Sequence, residues 1–187
     1  MEVGPCNVLH KPSGIPPDAS NICTTFCNNT IAVGHEGGGY LTDLNNNTVS
    51  PFQDIEDDVS AIKFKTNDNN VIYLACGSNI KCFDIRQSLK IPTNSFSDNQ
   101  DEINCIDLNQ EDSLLAACDD SGDCVVFDLK TNKLMRTLRR RHTNICSSVR
   151  FLPGRSDEVV TGGLDSQAIR WDFRRYVFVQ SFVFMSL

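Results

Sequence analysis

Three histidines, nine cysteines and one tryptophan carry most of the chemical potential of this 187-residue chain, and their spacing removes most of it. His10, His35 and His142 lie far apart in sequence. Protein zinc sites draw on closely spaced ligand pairs. The chain has no Cys-x-x-Cys pair and no second histidine to complete a site with His35-Glu36. The run "GHEGGG", Gly34 to Gly39, resembles a phosphate-cradling loop only in its glycines. It lacks the following Gly-Lys-Ser/Thr and the helix such a loop opens, so it reads better as a hairpin turn. No serine or cysteine is marked by its neighbours as an activated nucleophile. These patterns predict no catalysis, no cofactor and no metal.

One stretch still invites a chemical reading: Trp171-Asp172-Phe173-Arg174, at the end of a short strand-like run. Either Trp171 and Asp172 lock a structural unit, with Asp172 capping the next turn, or Asp172 and Arg174 face outward as a handle for a partner. A guanidinium can fork onto a carboxylate or a carbonyl, which an ammonium cannot do with two parallel bonds.

Composition narrows the class of protein. With 40% apolar and 22% charged residues the chain suits a soluble globular protein with a core. A formal net charge of −7 gives no general attraction to nucleic acid or an anionic membrane. Acidic residues gather early, at Asp54, Glu56, Asp57 and Asp58, and Arg136, Arg139, Arg140, Arg141, Arg174 and Arg175 gather later. The run "RTLRRRHTN" lacks the interleaved aromatics of a nucleic-acid site, so a solvated strand end or a patch for a protein partner is expected. The opening "MEVGPCNVLHKPSG" has no apolar secretory region, and no apolar run reaches the ~18 residues of a membrane helix. Cys76, Cys82, Cys118, Cys124 and Cys146 sit inside strand-like runs, as buried free thiols of a reducing compartment would. A cytoplasmic or nuclear location follows. The glycosylation patterns at Asn28-Asn29-Thr30 and Asn46-Asn47-Thr48 are then chance in an Asn-rich chain.

The elements that position these residues repeat. "YLTDLNN", "KCFDIRQ", "VVFDLKT" and "IRWDFRR" align on Asp43, Asp84, Asp128 and Asp172, spaced 41, 44 and 44 residues apart. Upstream of the last three lie "VSAIKF", "INCIDL" and "CSSVRF", each apolar at its first, fourth and sixth places. Between the two anchors come an apolar run, a turn rich in Gly, Asp and Ser, and an alternating run, as in "SLLAACDDSGDCVVFDL". A further strand follows each aspartate, including "YVFVQSFVF" at the end. Four short antiparallel strands per unit is the pattern of a β-propeller blade. The chain divides into an N-terminal segment, 1–19, and repeats at about 20–56, 57–99, 100–141 and 142–187.

The repeats resemble the WD-repeat family, whose blades end their third strand on Trp-Asp. The resemblance covers about residues 20 to 172, weakest in the first repeat and strongest from Glu102 to Phe151, with none beyond Arg175. It implies a hydrogen-bonded lock of His142, Thr161, Asp165 and Trp171 in the last repeat. Earlier repeats carry Thr42, Phe83 and Phe127 at the Trp place. Phe keeps the packing and loses the indole donor. A full ring of seven such blades needs about 300 residues. Four blades leave two blade faces open, so the chain reads as part of a ring, either a truncated product or a half-propeller that dimerises.

The resemblance also implies a role. WD-repeat substrate receptors of the cullin-4 ubiquitin ligase dock on the damaged-DNA-binding adaptor protein through a signature ending Trp-Asp-x-Arg. Val159, Val160, Thr161, Gly162, Gly163 and Asp165 fit its earlier positions, and Trp171 to Arg174 its end. Ala168 and Arg170 depart from it, and Arg170 is expected to point into a blade interface unless the strand shifts. Phe83-Asp84-Ile85-Arg86 is a further copy, and Leu114 to Lys130 another with Lys130 at the Arg place. The expected docking residues are Asp172, Arg174, Asp84 and Arg86. The alternatives are a general scaffold in another complex and a non-functional truncated chain.

Overall fold

Each repeat folds as one four-stranded antiparallel meander because its apolar residues alternate and its turns hold residues that accept a left-handed backbone. The computed structural model describes residues 20–139, 141–175 and 177–183. Blade 1 comprises β1 (Asn21–Cys27), β2 (Thr30–His35), β3 (Gly38–Asp43) and β4 (Thr48–Pro51). Blade 2 comprises β5 (Val59–Phe64), β6 (Val71–Cys76), β7 (Asn79–Asp84) and β8 (Asn94–Phe96). Blade 3 comprises β9 (Ile103–Leu108), β10 (Leu114–Asp119), β11 (Cys124–Asp128) and β12 (Lys133–Leu138). Blade 4 comprises β13 (Cys146–Leu152), β14 (Arg155–Gly163), β15 (Gln167–Asp172) and β16 (Val177–Val183). Within every sheet the strands neighbour one another in chain order. "GHEGGG" is a tight hairpin between β2 and β3, with Gly37 at φ +74°. Among the described residues no helix is long and apolar enough to cross a membrane.

Three seams between consecutive blades hold the core. Each blade has a leading face toward the blade before it and a trailing face toward the blade after. At the first seam Ala32, Leu41 and Phe52 of blade 1 meet Val59, Ile62, Phe64, Ile72, Leu74 and Phe83 of blade 2. The second packs Tyr73, Ala75, Ile80, Cys82 and Phe96 against Ile103, Ile106, Leu115, Ala117, Val125 and Phe127. The third packs Leu114, Ala116, Cys118, Cys124, Val126 and Leu138 against Cys146, Val149, Phe151, Val159, Ile169, Trp171 and Phe173. The first, fourth and sixth places of "VSAIKF" are thus the leading-face residues Val59, Ile62 and Phe64. An aromatic at the end of the fourth strand or just beyond it packs on the next blade's third-strand Phe in two seams: Phe52 on Phe83 at 5.0 Å between centroids, and Phe96 on Phe127 at 4.8 Å. Phe83 and Phe127 are fully buried, so they do keep the packing of the tryptophan they replace.

Every first strand carries a β-bulge near its start, and the bulges stitch the seams. The shifts fall between Asn21 and Cys23, Val59 and Ala61, Ile103 and Cys105, and Cys146 and Ser148. The extra residue turns its side chain toward the following blade in two cases. Ser60 Oγ donates to Ile103 O, and Asn104 Nδ2 donates to Cys146 O at 3.2 Å. At the first seam the neighbouring Cys23 Sγ reaches Val59 O at 3.3 Å. In each case the acceptor is the first residue of the next blade. A polar side chain that ties down a seam carbonyl satisfies a group that packing alone would leave without a partner.

Candidate interaction site

The third strands end on aspartates that all do the same local work. Asp43 Oδ1 accepts the N–H of Asn45 at 2.8 Å, Asp84 that of Arg86 at 3.0 Å, and Asp128 that of Lys130 at 2.8 Å. Asp172 accepts the N–H of Arg175 at 3.0 Å. Each carboxylate closes the turn into the fourth strand. The residue two places on therefore stands at one rim of every blade: Asn45, Arg86, Lys130 and Arg174.

The two arginines of this rim are held differently. Arg86 forks onto its own strand-end aspartate, Nε to Asp84 Oδ1 at 2.9 Å and one terminal nitrogen to Asp84 Oδ2 at 2.8 Å. The same nitrogen reaches Asp68 Oδ2 in the β5–β6 connection at 3.0 Å. The fork and the backbone N–H hold the Asp84 carboxyl below the usual carboxylate range. Arg174 instead lies 2.6 Å from Asp157 on β14, a close ion pair without hydrogen-bond alignment. Its side chain is 66% exposed and that of Arg86 56%. Asp172 pairs with Arg175 at 3.6 Å. Asp84 with Arg86, and Asp172 with Arg174, therefore share a rim and differ in who holds the guanidinium.

Behind Arg174 the lock residues meet in one buried hydrogen-bonded chain. Trp171 Nε1 donates to Thr161 Oγ1 at 2.9 Å, and Thr161 Oγ1 lies 2.8 Å from His142 Nε2. His142 Nδ1 faces the Asp165 carboxylate at 3.0 Å and 3.1 Å. With the imidazole proton on Nδ1, every donor in the chain is used: indole to hydroxyl, hydroxyl to imidazole, imidazole to carboxylate. Asp165 also accepts the backbone N–H groups of Thr143 and Gln167. Burial pushes the His142 pKa down, and its contacts with Cys146 and Asp165 outweigh that and leave it raised. Burial pushes Asp165 up, and His142 with the two N–H groups brings it below its ordinary value.

Several partners lay outside the expectations drawn from the sequence. Arg170 lies on the trailing face of blade 4, where blade 3 has the seam residue Val126; its pairing is regular toward β14 and shifts between Arg170 and Trp171 toward β16, and Glu158 meets it at 2.5 Å. Arg155 holds the same carboxylate at 2.8 Å, and the two guanidiniums pull Glu158 down to about 2. In blade 3 Asn99 stands where His142 stands in blade 4, and its Nδ2 donates to the buried Asp119 at 3.0 Å. Among the described residues Asn99 Oδ1 finds no donor. The 43-residue offset from His142 was the signal that could have revealed it. His10 lies outside the described residues, and among those described no cluster of three His, Cys, Asp or Glu side chains is arranged to hold a metal ion.

Four meanders packed face to face around seams, with a Trp–Thr–His–Asp lock in the last, define a WD-repeat β-propeller segment. No family model matches the chain. Over 105 residues it is 36% identical to the WD repeat-containing protein 53 homolog of Dictyostelium discoideum, covering 54% of this chain and 28% of that protein. Among solved structures, a chain of the mitotic checkpoint complex crystal structure matches with a TM-score of 0.79 at 15% identity. That match covers 90% of this chain and 52% of the other. Over the matched part the chain is similar to a WD-repeat protein, and it spans little more than a quarter of that relative's length.

Proposed function

We propose that this propeller segment is a non-catalytic protein-interaction scaffold, and that it docks as a substrate receptor on the damaged-DNA-binding adaptor of a cullin-4 ubiquitin ligase. The observation that carries the reading is the cationic rim. Arg86 and Arg174 occupy the same place in blades 2 and 4, are more than half exposed, and are oriented by carboxylates. A guanidinium held in place loses less rotamer freedom when a partner carbonyl or carboxylate arrives. The docking residues are Arg174 with Asp172, and Arg86 with Asp84. The lock behind them fixes the strand end from which Arg174 projects. The opposite rim is left for the substrate, and the setting is cytoplasmic or nuclear.

The test is adaptor binding by the purified chain, followed by surface plasmon resonance. Arg174→Ala weakens binding at least ~30-fold if the arginine is an anchor, since hot-spot truncations cost about 2 kcal/mol or more. Arg174→Lys recovers only part of that, because it keeps the charge and loses the fork. Unchanged adaptor affinity in both Arg174→Ala and Arg86→Ala leaves a general scaffold as the function, with no docking role for the rim.

A further inference from the structure

The connections that lead from an even-numbered strand to the next strand form the rim opposite Arg86 and Arg174. Carboxylates stand in them along the whole segment, at Glu36, Asp58, Glu102, Asp120 and Asp165. Their only lysines or arginines are consecutive: Arg139, Arg140 and Arg141, between β12 and β13. This basic run leads straight into His142-Thr143-Asn144. Thr143 is the one serine or threonine of the chain with arginine both two and three places before it.

The fold presents that threonine. Arg139, Arg141, Thr143 and Asn144 are exposed, in the connection between β12 and β13. His142, just before Thr143, is buried and held by Thr161 and Asp165. The Thr143 N–H donates to Asp165 Oδ2 at 3.0 Å. The lock therefore anchors the backbone of this loop and leaves the Thr143 side chain outside. Among the described residues no hydrogen bond engages its hydroxyl.

We propose that Thr143 is a phosphorylation site for a protein kinase that selects arginine ahead of its target. An acidic substrate cleft reads Arg140 and Arg141 by charge and by the planar fork each guanidinium offers. A loop that breaks no sheet bond enters such a cleft at small cost. The phosphoryl donor is MgATP. Thr143 Oγ1 attacks the γ-phosphorus, the bond from that phosphorus to the bridging oxygen breaks, and MgADP leaves. The hydroxyl proton passes to the kinase's catalytic aspartate and then to water. Hydrolysis by a phosphatase consumes one water and returns the hydroxyl and inorganic phosphate. The product has its counter-charge at hand. A phosphothreonine carries about −1.5 to −2 charges and three acceptor oxygens. Arg139 is paired with Asp123 at 3.0 Å, and Arg141, two residues from Thr143, is within reach of the phosphate. About two added negative charges cancel most of the charge of these arginines, and the whole rim becomes acidic. A corner attractive to an anionic segment thus ceases to be so. Docking through Arg86 and Arg174 at the opposite rim plays no part in this.

The experiment incubates the folded full chain with MgATP and the catalytic subunit of cyclic-AMP-dependent protein kinase. The product is cut at acidic residues, which keeps Arg136 to Thr143 on one peptide, and fragmentation locates the phosphate. One phosphate on Thr143 is expected, and none on that peptide in Thr143→Val. In the double variant Arg140→Gln with Arg141→Gln the initial rate is expected to fall at least ~10-fold, the effect of losing two charge-paired contacts. Phosphate on Thr66 instead, which follows Lys63 and Lys65, overturns the proposal. So does the absence of any phosphate, or a phosphate added only after the chain is denatured. The wild-type map alone decides the matter if a variant does not fold.

Discussion

Blades 3 and 4 are built on one template and solve its packing with opposite chemistry. Forty-four residues separate Val126 from Arg170, Leu114 from Glu158, Ala117 from Thr161 and Phe127 from Trp171. In blade 3 the trailing face places Leu114 and Val126 in the dry third seam, and the leading face places Ala117 and Phe127 in the second. In blade 4 the trailing face carries the Glu158–Arg170 ion pair, and the leading face holds a polar lock around Thr161 and Trp171. The backbone registers scarcely differ: in both blades the bulge toward the fourth strand falls just before the Phe or Trp. A blade is therefore a frame that tolerates apolar or polar filling, provided each face is internally matched. Ala117 with Phe127 removes donor and acceptor together, and Thr161 with Trp171 supplies both. Half of either exchange leaves a buried group without a partner.

The strongest way to break this comparison is to move one charge. Val126→Arg places a guanidinium in the third seam, where Val126 is wholly buried and Leu114, not a glutamate, is its neighbour. Burying an unpaired charge costs far more than the lost packing. A loss of more than about 4 kcal/mol is expected, read as a large fall in urea midpoint or as insoluble protein. An unaltered midpoint would mean that the seam opens to water and that face matching does not govern stability.

The lock is next. Thr161→Val keeps the shape and leaves the indole N–H without an acceptor and His142 Nε2 without its partner. The expected cost is about 2–3 kcal/mol, the range for stranded buried groups. Ala117→Val, at the same place in blade 3, strands no polar group, and any cost there comes from overpacking alone. Equal costs for the set that copies blade 3, His142→Asn with Thr161→Ala and Trp171→Phe, and for Thr161→Val alone would show that pairing is not what matters.

Much of this was legible in the sequence because it is periodic. The strand-ending aspartates and the first, fourth and sixth apolar places fall at one spacing, so blades, hairpins and seam residues such as Phe64 and Phe151 could be read directly. The lock residues His142, Thr161, Asp165 and Trp171 follow from a family resemblance and are brought together by four separate strands or loops. What could not be read is who answers an irregular residue. Arg170 stood out as a misfit, but its partner Glu158 lies one strand away, and cross-strand register depends on the connection between β14 and β15. The guanidinium of Arg86 was visible as a charge, not as a fork closed on Asp84 and Asp68. Bulges were hidden for the same reason. One extra residue in a strand leaves no compositional mark, and Ser60 and Asn104 show their use only against the next blade.

The pH response separates the two blades without disturbing their packing. His142 has a raised folded pKa, so its stabilising share is full below its ordinary value of about 6.5 and is lost as pH rises through the folded value. Asp165 has a lowered one, so its share is present above the ordinary carboxylate range and is lost as pH falls through the folded value. The lock is firmest between these limits, on the mildly acidic side of neutrality. His142→Asn copies the residue of blade 3, where Asn99 cannot titrate in this range. Thermal midpoints taken from pH 5.5 to 8.5 are expected to decline for the native chain at the alkaline end and to lie flatter for the variant. A parallel decline in both would assign it to another group.

The smallest effect is expected where the eye is drawn first. Arg170 is the one residue that breaks the apolar rule of its position, yet Glu158 keeps Arg155 when Arg170 is removed. Arg170 retains about a quarter of its side-chain exposure, so water screens the pair and the energy it returns is modest. Arg170→Val restores the residue type of blade 3 at a face whose neighbours include Val160 and Ala168. The two changes offset, and the chain's stability is expected to move by less than about 1 kcal/mol. A double cycle with Glu158→Gln gives the coupling itself, also below about 1 kcal/mol. A coupling several times larger would mean that the face is shielded from water, and the ion pair would then be part of a seam, as Val126 is in blade 3. The same residue position would in that case be buried in both blades, and the contrast between them would reduce to how each buried face is paired.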